Sequence, residues 1–171
     1  MDGPTDVTGR LVLLVDPDPA TRLTVRPLLI RYGLELIQAR TTVAALELLQ
    51  RMPERFRMAV VCLEMPVLSG SLLIETLRLF RPSLPVVCLT AAEQSAVGAA
   101  MGNCLPKPVR PDELRAQLED ALAGVGSAFS AATVTPAAVA RAQAEFAVSG
   151  NLLEAARELA RGMPGEAASG W

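Results

Sequence analysis

Histidine is absent from the 171 residues. Its absence removes the commonest general base and the commonest metal ligand, and with them most hydrolase and zinc-site chemistry. Aromatic residues make up only 4%, which disfavours a surface that stacks nucleobases on rings. Charge of neither sign dominates. The formal net charge is −2, so no overall positive field draws in DNA or an acidic membrane. No apolar run reaches the roughly 18 residues that span a bilayer. Cysteine is scarce and odd in number, at positions 62, 88 and 104. These three have no metal-ligand spacing, and no secretory signal stands ahead of them. The expectation is free thiols in a cytoplasmic protein.

What the chain does have is aliphatic side chains, with hydrophobic residues at 51%. That is enough for one ordinary domain and a small appendage. RLVLLVD (10–16), LELIQA (34–39), MAVVCL (58–63), LPVVCLT (84–90) and NCLP (103–106) are short apolar runs of strand length. Helical patterns lie between them. Asp18-Pro19 reads as an N-cap and first-turn proline for a helix to about 32, kinked at Pro27. Thr41 or Thr42 caps a helix to about 52. Ser69 opens one that ends near Phe80, and a short helix fills about 93–101. Pro111-Asp112-Glu113 opens the last, to about Ala123. Strand and helix alternate five times. Crossovers of this length require parallel pairing, which predicts an α/β, doubly wound parallel sheet with its site at the carboxyl ends of the strands.

The residues expected there are Asp16, Asp18, Cys62, Glu64, Thr90 and Lys107. A strand-end acid, Thr and Lys are the parts of a phosphoryl-acceptor site, in which acids hold Mg²⁺ and Thr and Lys bond the phosphoryl oxygens. LVLLVDPDPATR, EMPVLSG, LTA and LPKPV, in this order, resemble the signature blocks of the bacterial response-regulator receiver domain. The resemblance covers about residues 10–123. It implies a flavodoxin-like sheet in the order 2-1-3-4-5.

Carried over residue by residue, the resemblance is uneven. Receivers place two adjacent acids after the first strand; here they are Asp16 and Pro17, with Asp18 one step on. The phospho-accepting Asp lies three residues before Met-Pro, and that residue is Cys62. The switch Thr matches Thr90 and the Lys matches Lys107, while the switch aromatic is replaced by Cys104. Only 16 residues separate Thr90 from Lys107, fewer than receivers usually have, so the fourth helix is expected to be short. With a thiol at the acceptor position and Pro17 in the acid pair, Mg²⁺ keeps about one strong ligand. Mg²⁺ binding is expected to be weak or lost, Asp phosphorylation lost, and no other cofactor is implied. Glu64 or Asp18 as a substitute acceptor is the lesser alternative.

Each of these residues also has a plain structural reading. Cys62 fills a strand end as a small apolar residue; a redox-active thiolate, its pKa lowered by Lys107, is the alternative. Cys88 is expected in the core, and no disulfide follows from the sequence. Lys107 satisfies a buried Asp16, and Asp18 caps a helix.

Residues 1–9 read as a flexible tail and 10–123 as the receiver-like domain. Residues 124–135 read as a linker, 136–162 as a helical hairpin, and 163–171 as a disordered tail. SGNLLEAARELA (149–160) resembles the Gly-Asn-x-x-x-Ala-Ala-Arg-x-Leu core of Fis-type helix-turn-helix domains. The residues after Arg161 lack the Lys and Arg that a DNA-reading helix needs. The leading expectation is therefore a non-enzymatic pseudo-receiver of a two-component pathway, without a membrane segment. It would act on a protein partner: a regulator, a kinase or a second copy as a homodimer. A DNA-binding regulator and a thiol-based redox sensor at Cys62 are the alternatives.

Overall fold

The computed structural model describes residues 9–91, 104–123 and 135–161. The expected short helix near 93–101, most of the linker, and both tails beyond Gly9 and Arg161 lie outside the described residues. Five strands form one parallel sheet: β1 (Leu11–Val15), β2 (Glu35–Ala39), β3 (Phe56–Cys62), β4 (Val86–Thr90) and β5 (Cys104–Pro106). Their order is β2-β1-β3-β4-β5, as anticipated.

The two inner faces follow from strand alternation. Leu11, Leu13, Val15, Ala59, Val61 and Cys88 point to one side, beneath α2 (Thr42–Arg51) and α3 (Gly70–Phe80). Val12, Leu14, Met58, Val60, Cys62 and Leu89 point to the other, beneath α1 (Pro19–Arg31) and α4 (Pro111–Leu122). A sheet covered on both faces needs continuous apolar strands rather than alternating ones. That requirement is why β1 and β4 are buried at every position, and β3 at all but Arg57.

Local chemistry sets the ends. Asp18 caps α1 by accepting from the Ala20 N–H at 2.9 Å, and α1 runs on through Pro27 to Arg31. Thr41, rather than Thr42, caps α2; the Thr42 hydroxyl instead donates to the Leu68 carbonyl at 2.8 Å. β4 starts two residues later than the apolar run. Leu84 closes a turn onto Arg81, and Pro85 has no N–H to give the ladder.

The C-terminal piece is a hairpin of α5 (Pro136–Ser149) and α6 (Leu152–Ala160). Gly150 joins them in the left-handed conformation, at φ 62°, and its N–H donates to the Phe146 carbonyl. The hairpin packs on the α2–α3 side. Leu152 and Ala156 enter the core there, and Ala155, Leu159 and Ala160 are buried with Leu68 and Leu72. The Phe80 and Phe146 rings meet in a tilted contact, with centroids 4.6 Å apart. The Gln50 side chain donates to the Gly150 carbonyl and accepts from the Leu152 N–H. Two fully buried leucines contribute about 1.5–3 kcal/mol each, so the hairpin is an integral layer.

Candidate functional site

Four strand ends bring Asp16, Cys62, Glu64, Thr90 and Lys107 together at the carboxyl edge of the sheet. Asp16 follows β1 and is fully buried. Both of its carboxylate oxygens are engaged: Oδ1 accepts from the Asp18 N–H at 2.8 Å, and Oδ2 pairs with Lys107 Nζ at 2.6 Å. Burial works against the charge on Lys107, but the Asp16 carboxylate outweighs it and holds the ammonium above its ordinary pKa. Lys107 is set in place by its backbone too, since its N–H donates to the Thr90 carbonyl at 2.8 Å. The Asp16–Lys107 pairing and the Asp18 cap are as the sequence suggested. Pro17 and Asp18 are exposed.

Cys62 ends β3 and is only 1% exposed. Burial, then the Asp16 charge, pushes its thiol up to about 11, against the smaller downward pull of Lys107. The idea that Lys107 makes Cys62 a reactive thiolate is thereby corrected. At pH 7 the Cys62 thiol is therefore protonated and a weak nucleophile.

The most informative side chain is Glu64. Its Oε1 accepts from the Thr90 hydroxyl at 2.7 Å, and its Oε2 accepts from the Ala91 N–H at 2.8 Å. The Cys62 thiol also points at Oε2, from 3.6 Å. Desolvation works to raise the Glu64 pKa, but the bonds from Ala91 and Thr90 more than offset it and hold the carboxyl below its usual value. The loop beyond is tightly built. Val67 adopts φ 68°, an uncommon conformation for a β-branched residue. At Gly70 a Cβ would stand 1.9 Å from the Cys62 carbonyl oxygen, so only glycine lets α3 start this close to β3.

The expectation of three free thiols is also corrected. Cys88 and Cys104 are joined by a disulfide, with Cα atoms 4.5 Å apart. They are direct partners in the β4–β5 ladder, a relation of register that a bare sequence does not display. Only Cys62 is free. The Ala91 N–H was missed as a site donor, because a backbone group leaves no mark in residue identity.

The donor set does not suit a hard divalent cation. Asp16 is occupied by Lys107 and a backbone N–H, position 17 offers no side-chain oxygen, and Cys62 is a neutral thiol. Glu64 is turned onto Thr90 and Ala91. Among the described residues no cluster of three His, Cys, Asp or Glu is placed to hold a metal. Among them, too, no helix is long and apolar enough to cross a membrane.

Comparison with known proteins matches residues 12–119 to the response regulator receiver domain. The response regulator protein FleR of Pseudomonas aeruginosa is 34% identical over 110 residues. That match covers 63% of this chain and 23% of FleR, so the chain spans about a quarter of the relative's length. The chemotaxis protein CheY4 of Vibrio cholerae is 29% identical with a TM-score of 0.56, covering 67% of this chain and 99% of that one. The response regulator StyR is 30% identical, also with a TM-score of 0.56, covering 66% of this chain and 59% of that one. The C-terminal hairpin lies outside the matched family region.

Proposed function

The chain belongs to the response-regulator receiver family, and we propose that it is a pseudo-receiver, signalling in a two-component pathway without being phosphorylated. The observation that carries this reading is the Glu64 carboxylate on Thr90 and Ala91. Thr and its neighbouring backbone N–H are donors suited to phosphoryl oxygens. Here a carboxylate of the same chain holds them already. A phosphoryl group arriving at this edge meets a neutral thiol at the acceptor position and filled donors beyond it. In this reading the Glu64 carboxylate takes the donors that phosphoryl oxygens would otherwise use.

In this reading the protein is not an enzyme, and Mg²⁺ is bound weakly or not at all. The output is contact with another protein: a regulator, a kinase or a second copy of the chain in the cytoplasm. The packing of the hairpin on α2 and α3 favours a role for α5 and α6 in shaping that contact surface over free DNA binding.

The test follows the backbone amide signals of Thr90, Ala91 and Lys107 while Mg²⁺ and then acetyl phosphate are added. The expected result is no saturable change. Saturable shifts at all three, on adding both, contradict the reading.

A further inference from the structure

We infer that Cys88 and Cys104 form a thiol–disulfide site through which a dithiol reductant controls how β5 and Lys107 are held at the pocket edge. The inference rests on strand register and topology, and it is independent of whether the pocket accepts phosphate. The two cysteines sit opposite each other in adjacent parallel strands. They share the α2–α3 side of the sheet, whereas Cys62 belongs to the core on the α1–α4 side. The sheet itself therefore keeps Cys62 out of the exchange.

The bridge has leverage because, among the described residues, β5 is otherwise held by its ladder to β4 and by Leu105, which is buried in the α1–α4 core. β5 is a strand of three residues at the edge of the described sheet, and among the described residues β4 is its only strand neighbour. Three ladder pairs hold it, and the first of them is the disulfide-linked pair. The strand then delivers Lys107, whose N–H bonds the Thr90 carbonyl and whose ammonium pairs with Asp16. Cys88 precedes Thr90 by two residues and Cys104 precedes Lys107 by three. Opening the bridge releases the start of β5, and with it the anchor of Lys107.

The chemistry is ordinary thiol exchange. Cys88 is fully buried, while Cys104 is half-buried at the sheet edge. A thiolate of the reductant attacks Cys104 Sγ, a new S–S bond forms, and Cys88 leaves as a thiolate that takes up a proton. The second thiol of the reductant then attacks the mixed disulfide and frees Cys104. The reductant ends as a disulfide, the protein as two thiols, and two electrons have moved. In a reducing compartment such bridges are transient and responsive rather than permanent staples.

The experiment uses the full chain equilibrated with oxidised or reduced dithiothreitol. Thiols are counted by alkylation under denaturing conditions, and hydrogen exchange is followed residue by residue. In the oxidised protein one thiol is alkylated; in the reduced protein three are. On reduction the Lys107 amide exchanges at least roughly tenfold faster, while the β1 and β3 amides keep their protection. The double variant Cys88→Ser with Cys104→Ser behaves like reduced protein in either buffer, and Cys62→Ala responds like wild type.

Three free thiols in the oxidised sample overturn the inference. So does an unchanged Lys107 amide, or a loss of protection throughout the sheet at once, which would make the bridge a general staple. Intact mass after acetyl phosphate, on the same samples, reads the pseudo-receiver proposal separately. A phosphoryl gain there defeats that proposal and leaves the thiol result standing.

Discussion

Replacing Glu64 by Gln changes one oxygen for an amide nitrogen and little else. In the native pocket both carboxylate oxygens accept, from Thr90 Oγ1 at 2.7 Å and from the Ala91 N–H at 2.8 Å. Gln offers one acceptor, and its NH₂ must face a donor. Hydrogen bonds to a charged group are worth about 1.5–3 kcal/mol when sheltered. Glu64 is exposed, and water screens the interaction, so the loss should be about 1–2 kcal/mol. For a chain of this size that lowers the thermal midpoint by about 2–4 °C per kcal/mol. The pH dependence is the sharper signature. The folded carboxyl has a lowered pKa, so its stabilisation is complete above the unfolded value of about 4.3 and fades as pH falls through the folded value. Urea denaturation of wild type and Glu64→Gln should therefore differ fully at pH 7, and the gap should close as pH falls through the lowered folded pKa of Glu64. Equal stabilities at pH 7, or a gap that does not close in acid, would refute the assignment of Glu64 as the occupant of the pocket.

Cys62 gives the alkaline counterpart. Its folded pKa is raised from 9.0 to about 11, so the contribution is whole below pH 9 and lost as pH rises towards 11. Wild type should lose about 2–3 kcal/mol over that window that Cys62→Ala does not lose, read by denaturant midpoints at pH 8 and 11. Gly70→Ala sets a methyl against the Cys62 carbonyl oxygen at 1.9 Å. It should cost about 3 kcal/mol or more and shift the amide signals of the β3 end. Gln50→Ala removes both side-chain bonds to the hairpin. It should lower stability by about 1–2 kcal/mol and speed hydrogen exchange in α6 more than in β1.

The sheet was legible because its chemistry is written in side chains. LVLLV and VVCLT are apolar without interruption, as strands buried on two faces must be, and the Asp18-Pro19 and Ser69 signals start helices where expected. The Lys107–Asp16 pair could be anticipated, since a buried acid at one strand end needs a cation from another. What escaped depends on register or on backbone. The Cys88–Cys104 bond requires that residue 88 stand opposite residue 104, and strand offset is not a property of either residue. Glu64 was visible as an extra acid near the pocket, yet its role comes from a rotamer that meets a main-chain N–H at Ala91. The docking of the hairpin joins Gln50 to Gly150 and Leu152, about a hundred positions away, through groups with many other possible partners.

The most direct test of the central claim is intact mass after incubation with acetyl phosphate and Mg²⁺. Wild type is compared with the triple variant Cys62→Asp, Pro17→Asp and Glu64→Ala. The expected result is no phosphoryl gain on wild type and a measurable gain on the triple variant, which regains the nucleophile and an acid beside Asp16 and frees the Thr90 and Ala91 donors. A phosphoryl group on the wild-type chain would contradict the account, because neither a buried neutral thiol nor a carboxylate already committed to Thr90 and Ala91 should accept one.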